Sequence, residues 1–221
     1  TYDGNFGQAD YSQQPDALER AVDGLMARGL VTDPGQEFEY SNGNYQILGL
    51  LLERLDGVAY EVAIKRRLLE PLGMRSSFVL APADESSTYA EPHRFWGRWP
   101  VHFDKPTART IVAQGGVYSS AHDLALYMLD LMSAKPKLLT VQSRDALFSL
   151  EQEGSQSGYG LGWFVEHHEN HRLIFHGGAN PGYETIGGFV PEQGRGFVLL
   201  VNAGSGFLGG NVAGLIESVK D

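Results

Sequence analysis

Cysteine is absent from this chain of 221 residues. That excludes disulfides, cysteine nucleophiles and thiolate metal sites together, although it identifies no compartment. Long apolar runs are missing too: no window holds eighteen uninterrupted apolar residues, which argues against a membrane-spanning helix. Positive charge is scarce, with 17 Lys and Arg against 27 Asp and Glu and a formal net charge of −10. A field of that sign repels nucleic acid. The single basic cluster, Lys65-Arg66-Arg67, falls in a helical pattern, where a solvated face accounts for it. The opening residues Thr1-Tyr2-Asp3-Gly4-Asn5 carry neither the basic stretch nor the apolar core of a signal peptide. Internal repeats and low-complexity tracts are also absent. What remains, 42% hydrophobic and 20% charged residues, is the composition of a globular protein, enough for one large domain or two small ones.

Two textures divide the chain. Residues 1–150 read mainly as helices and loops, and residues 151–221 as strands with a closing helix. Gln14-Pro15-Asp16 opens a helix in which Leu18, Ala21, Val22, Leu25 and Met26 recur at helical spacing until Gly29. A second helix is predicted over 44–55, with Ile47, Leu48, Leu51, Leu52 and Leu55 on its buried side and Gly57 as its stop. A third, over 59–69, is expected to end before Pro71. The stretch 81–110, with its Pro, Ser, Trp and His, has no clear period and reads as long loops. Ser120-Ala121-His122-Asp123 starts another helix, with Asp in place of the Glu of a capping box. Short β-rich runs follow at 162–167, 172–176, 185–190 and 196–202, and Pro191–Arg195 makes a hairpin turn between the last two. The final helix is expected over 208–219. So few antiparallel strands with one helix make a thin sheet, whose second face and one edge stay exposed unless something covers or extends them.

Nucleophile motifs are missing as well. No G-x-S-x-G elbow occurs, and neither S-x-x-K nor T-x-x-K is found; Ser133-Ala134-Lys135 and Ser218-Val219-Lys220 are each one residue short. In S-x-x-K the lysine lies one helical turn after the serine and can share its proton; at S-x-K spacing the side chains diverge. Among the candidates present, Tyr40-Ser41-Asn42 precedes a helix. Tyr40 can shuttle protons only if nearby positive charge lowers a pKa of about 10, and Asn42 can offer a carboxamide to a substrate amide. A packed tyrosine and a helix-capping asparagine explain the same tripeptide without function. His176-Gly177-Gly178 ends a β-run, where glycines admit a ligand close to the backbone and a free amide can stabilise an oxyanion; a simple bend is the plainer reading.

In order and context these pieces are more specific. Pro34-Gly35-Gln36-Glu37-Phe38-Glu39-Tyr40-Ser41-Asn42 resembles the Y-x-N region of the serine β-lactamase-like family, which includes class C β-lactamases, DD-carboxypeptidases, D-aminopeptidases and related esterases. Glu70-Pro71-Leu72-Gly73-Met74 is similar to its P-L-G-M element, and Gln114-Gly115-Gly116 through Asp123-Leu124 to its Gly-Gly-to-Asp-Leu helix start. Tyr159-Gly160-Leu161-Gly162-Trp163 resembles its Y-G-L-G-W strand, and His176-Gly177-Gly178 its H-x-G variant of K-T-G.

The resemblance implies an α+β fold, an antiparallel sheet flanked by helices plus a helical region, with N-terminal strands and the nucleophile helix missing. The regions 1–150 and 151–221 would then form one structural domain with that missing segment. It implies acyl transfer to serine and hydrolysis of an ester, an amide, or a D-amino-acid peptide or β-lactam. Tyr40 and His176 would be catalytic. Asn42, Gly177, Gly178 and Ala179 would bind substrate, the Ala179 amide forming half of an oxyanion hole. The S-x-x-K serine and lysine would come from an N-terminal segment, joined to this chain or present as a separate fragment, so this chain carries half a site and is expected to be inactive alone. No cofactor is implied. Export to the periplasm or cell surface is what the family suggests. A histidine in place of the K-T-G lysine is largely neutral near pH 7 and tilts the substrate toward esters, amides or D-amino-acid peptides. The alternative is a non-catalytic fragment or pseudoenzyme that binds a ligand or partner.

Other clusters have plainer readings. His167-His168-Glu169-Asn170-His171 is expected to be a solvated turn rather than a zinc site. Trp96, Trp99, His93 and His102 either line a pocket or, the favoured reading, pin a long loop by local burial. Asp123 reads as a helix-start residue.

Overall fold

The computed structural model describes residues 12–80, 89–102, 108–150 and 157–204. In chain order the elements are α1 (Ala17–Arg28), α2 (Asn42–Asp56), α3 (Tyr60–Ile64), a π-helical turn (Lys65–Leu69) and α4 (Glu70–Leu72). Then come β1 (Phe78–Val79), β2 (His93–Trp96), β3 (Trp99–His102), a 3-10 turn (Arg109–Ile111), α5 (Val112–Gly115) and β4 (Val117–Tyr118). After them follow α6 (Ala121–Met132), α7 (Val141–Leu147), β5 (Ser157–Tyr159), β6 (Phe164–His167), β7 (Arg172–Asn180), β8 (Tyr183–Val190), β9 (Arg195–Val201) and β10 (Ala203–Gly204). The fold is α+β, as expected. The helix anticipated over 208–219 lies outside the described residues. Among the described residues no helix is long and apolar enough to cross a membrane.

Two compact units divide the chain. The first comprises the described residues within Thr1–Glu70, Ser77–Ser87 and Pro106–Tyr118. Its core is Leu18, Val22, Leu50 and Val112, with Ile47 and Tyr60 packed against them. Gly57, in the left-handed region at φ 64°, ends α2 and returns its N–H to the Glu53 carbonyl, which is the stop foreseen for it. On α2, Gly49 faces Ala113 so closely that any Cβ there would overlap the alanine methyl, so α2 and α5 meet at backbone distance. Buried polar groups complete the unit. Gln46 is fully buried and donates from Nε2 to the Thr110 carbonyl at 2.6 Å. Arg109, also buried, pairs with Glu53 at 2.6 Å and Glu61 at 3.3 Å.

The third helix corrects the expectation that it stops before Pro71. Proline gives no N–H to the carbonyl four residues back and crowds it. The chain accommodates this by widening to a π turn over Lys65–Leu69, in which the Glu70 N–H reaches the Lys65 carbonyl, and then continues through Leu72.

The second unit comprises the described residues within Pro71–Ser76, Thr88–Lys105 and Ser119–Asp221. Its main sheet is antiparallel and five-stranded, in the order β5-β6-β7-β8-β9, wider by β5 than the four β-rich runs read in the sequence. Alternation along β7 places Ile174 on one face and Leu173 on the other. The first face packs on α6 and α7 through Met128, Leu131, Phe148, Trp163, Val165, Ile174 and Phe189. Trp163 and Phe148 meet Phe189 edge-on, with centroids 5.4 and 5.7 Å apart. Such pairs add about 0.5–1.5 kcal/mol each beyond area burial. The second face is covered too, because Leu173 and Val190 are fully buried.

Three further expectations change. Tyr159-Gly160-Leu161-Gly162-Trp163 is not one strand: Tyr159 ends β5, and the Gly160 N–H turns back to the Trp163 carbonyl at 2.8 Å before β6. Gly177-Gly178 is not a bend, because β7 runs on to Asn180, paired throughout with β8. The stretch read as loops over 81–110 contains a hairpin, β2–β3, with register Trp96↔Trp99 around Gly97-Arg98 and Gly97 at φ 61°. It forms a small sheet with β10, which runs parallel to β2. Nor are its tryptophans buried: Trp96 is 79% and Trp99 64% exposed.

Candidate active site

In the first unit, Tyr40-Ser41-Asn42 leads into α2. Ser41 is extended, and its Oγ accepts from the Asn44 N–H at 3.4 Å. The helix cap is therefore Ser41, not the asparagine of the plainer reading, and Asn42 is the first residue of α2. Gly43 lets this end of the helix lie against Leu25, since a Cβ there would come within 3.2 Å of both leucine methyls. Anchored by Gln46 and Gly49 on its buried side, α2 holds its N-terminus in place. Tyr40, just before the cap, is 47% exposed, which also sets aside the packed-tyrosine reading. Partial burial, with a smaller contribution from Tyr45, pushes its phenol above the usual value. At neutral pH Tyr40 is thus a hydroxyl donor, and only added positive charge would make it a base.

In the second unit, His176, Gly177, Gly178 and Ala179 are consecutive on β7. The imidazole of His176 lies among aromatic rings, with centroids of Phe164 and Tyr159 at 5.6 and 5.9 Å. Its Nε2 is 3.2 Å from the Tyr159 hydroxyl. Burial drives its pKa below the ordinary histidine value, opposed in part by a backbone hydrogen bond with Gly177. The side chain is therefore neutral near pH 7.

Beyond His176 the strand opens. Pairing of β6 with β7 ends at Phe164↔Phe175, whereas β8 pairs with β7 as far as Asn180. Gly177, Gly178 and Ala179 are exposed, with a strand partner on the β8 side. A Cβ at Gly178 would stand 3.0 Å from the Thr185 hydroxyl oxygen, so the absence of a side chain keeps this surface flat. A bare, exposed strand segment beginning at a neutral histidine can present amide donors to a carbonyl oxygen.

Tyr40 and Asn42 thus belong to one unit and His176 to Ala179 to the other. Sequence reasoning missed Tyr159 as the partner of His176. The signal is present, because Tyr159 begins the Y-G-L-G-W motif, but sequence order alone does not show that this phenol meets the His176 ring. Asp123 is a helix-start residue: the Ser120 hydroxyl accepts its N–H at 3.1 Å, while its own carboxylate accepts from the Ser76 N–H at 2.8 Å. The histidine-rich segment is the β6–β7 turn, closed by the His168 N–H on the His171 carbonyl at 2.9 Å. Among the described residues no group of three or more His, Asp or Glu is placed to hold a metal.

Comparison with known proteins identifies the family. A family model described as Beta-lactamase matches residues 1–216. The chain is 29% identical over 193 residues to Protein flp of Staphylococcus aureus strain N315, covering 83% of this chain and 37% of that protein. Among solved structures it is similar to the octameric penicillin-binding protein homologue from Pyrococcus abyssi, with 27% identity, a TM-score of 0.73, and 86% of this chain and 45% of that one covered. D-amino acid amidase from Ochrobactrum anthropi shares the fold at 20% identity and a TM-score of 0.74, over 97% of this chain and 66% of that one. The chain therefore spans well under half the length of the curated relative. With the match running nearly end to end and the motifs falling on the elements just described, the chain belongs to the β-lactamase family.

Proposed function

We propose that this chain supplies the acyl-binding and proton-relay half of a serine hydrolase site, and that an S-x-x-K serine and lysine from outside these 221 residues complete it. The observation that carries the reading is the exposed Gly177-Gly178-Ala179 strand segment, which starts at a neutral, aromatic-enclosed His176. In the complete site the serine Oγ passes its proton to the S-x-x-K lysine as it attacks the substrate carbonyl and forms an acyl–oxygen bond, while the bond to the leaving group breaks. The Ala179 amide donates to the oxyanion, with Gly177 and Gly178 keeping the approach clear. Asn42 orients the acyl side chain through its carboxamide. Tyr40, a phenol as it stands, gives its proton to the leaving group; the positive charge of the S-x-x-K lysine then stabilises the phenolate that activates the deacylating water. A neutral His176 accepts or donates one hydrogen bond without offering a fixed cation. This favours esters, amides and D-amino-acid peptides over substrates that need a permanent positive charge for their carboxylate.

Intact-mass measurement with a serine-reactive fluorophosphonate tests the division of labour. The 221-residue chain alone should gain no adduct. The chain extended by the upstream coding sequence, or mixed with that segment, should gain one stoichiometrically. An adduct on this chain alone would overturn the assignment. In the extended protein, Tyr40→Phe and His176→Ala should each lower kcat/KM for an activated ester by about a hundredfold or more. Unchanged turnover in both would leave the chain a binding module, with no part in the chemistry.

A further inference from the structure

The hairpin β2–β3 carries none of the residues assigned to that site and has an unusual surface. Both of its strands are largely exposed: Phe95, Trp96, Trp99 and Val101 are 45%, 79%, 64% and 42% accessible. Two of the three tryptophans of the chain thus face solvent from one two-residue turn. An exposed cluster of large apolar side chains marks an interaction surface. Its base is firmly held. The Tyr183 hydroxyl donates to the Ala90 carbonyl at 2.8 Å, the His93 N–H to the Asn202 carbonyl at 3.0 Å, and the Asn202 carboxamide to the Glu91 carbonyl at 2.9 Å. Gly182 lies so close to Pro92 that a Cβ there would overlap the proline ring. An isolated hairpin of this length is marginal in water; here the root carries the order and leaves the tip free to present its rings.

Charge distinguishes the occupant. The chain as a whole carries −10, but residues 92–102 contain Arg94 and Arg98 and no Asp or Glu; the Glu91 carboxylate stands at the root of the hairpin, 3.8 Å from His102 Nε2 and away from the Trp96–Trp99 tip. The Arg98 guanidinium lies over the Trp99 ring at 5.3 Å, so cation and indole are presented together. Pro100 withholds an N–H from β3, the outer strand of its sheet, which disfavours another protein strand pairing there. Amphipathic indoles beside arginines, on a surface unsuited to strand addition, match the interfacial region of a bilayer with anionic headgroups.

We propose that β2–β3 is a membrane-surface anchor that inserts Trp96 and Trp99 at the headgroup level of an anionic bilayer. At physiological ionic strength screening over about 8 Å keeps the negative charge elsewhere on the chain from cancelling this local attraction. The test uses the full 221-residue chain with phosphatidylcholine vesicles containing roughly 30% phosphatidylglycerol, a moderately anionic surface. The protein should co-sediment with these and not with pure phosphatidylcholine. Its tryptophan emission should shift to the blue and be quenched by brominated lipid, above the constant background of buried Trp163. The double variant Trp96→Ala, Trp99→Ala should partition at least about tenfold more weakly, and Arg98→Gln a few-fold more weakly. If the double variant loses its far-UV dichroism, Trp96→Ser alone, at a largely solvated position, carries the same test. Failure to bind anionic vesicles, equal binding to neutral ones, or undiminished binding by the tryptophan variants would overturn the proposal. So would a hairpin-dependent dimer in light scattering, which would assign the surface to a second copy of the chain.

Discussion

The two units solve the same problem, holding a candidate site residue in place, by different means. The first relies on small residues and buried polarity: Gly49 against Ala113, Gln46 on Thr110, and Arg109 between Glu53 and Glu61. The second relies on aromatic packing, with Trp163, Phe148 and Phe189 edge-on beneath the sheet. The outcomes differ accordingly. The helix-rich unit presents Tyr40 to solvent, whereas the sheet encloses His176 in rings and strips it of charge. Buried polarity ties each partner to one geometry, while apolar packing tolerates volume-conserving change.

The largest expected effects test that contrast directly. Arg109→Ala leaves Glu53 and Glu61 without their cation and should cost about 3–5 kcal/mol in urea unfolding. Phe189→Ala should cost a similar amount, about 3–5 kcal/mol, by leaving a cavity, but Phe189→Leu should recover much of it. No single substitution of Arg109 by a residue unable to pair should recover as much. Equal rescue at both positions would erase the distinction.

A smaller effect compares two glycines. Gly49→Ala drives a methyl into the Cβ of Ala113, which cannot move without its helix, and should cost about 1–3 kcal/mol. Gly187→Ala meets the terminal methyl of Met128, a flexible end that can rotate away, and should cost less than about 1 kcal/mol. Thermal melts of both variants rank them; the reverse order would mean that the helix pair is the more pliant contact.

The smallest effects are those of pH, and the units should differ in direction. Tyr60, buried in the first unit, has its phenol pushed up to about 12 from 10. Its folded pKa lies above its unfolded one, so its contribution is complete below pH 10 and is lost between 10 and about 12. Tyr60→Phe should flatten the stability profile in that window. His176 has its pKa pushed down from 6.5, so its contribution is present above 6.5 and is lost as pH falls through the lowered value. His176→Gln should flatten the acid side, and the ring resonances of His176 should titrate below 6.5. Titration above 6.5 would mean that the aromatic enclosure does not desolvate the ring.

Helix ends were legible where their signals are local, but the buried face of α2 was not: Leu48, Leu51 and Leu55, expected inside, are exposed, and Gln46, Gly49 and Leu50 are buried. Ser120 caps where a short polar side chain can reach an N–H three residues on, and Gly57 stops α2 in a conformation that glycine adopts cheaply; at the start of α2 the cap is Ser41 rather than the expected Asn42. Less was legible where pairing rather than pattern decides. The β2–β3 hairpin shows no apolar alternation because neither of its faces is buried, and periodicity reports only burial. Gly177-Gly178 reads as a bend in isolation and becomes a strand because β8 lies alongside.

By itself, then, the sequence determined the absence of thiol chemistry, the net negative charge, the start of α6 at Ser120, the stop of α2 at Gly57 and the order of motifs that marks the family. Each of these rests on residue identity or on contacts a few positions apart. Tertiary structure decided what spacing does not encode. It brought Tyr159 to His176 across 17 residues through β5, β6 and β7, carried α3 past Pro71 on a π turn, covered the second face of the sheet, and left Trp96 and Trp99 in solvent. These outcomes depend on which surfaces meet when strands and helices pack, and burial, desolvation and exposure exist only once they have.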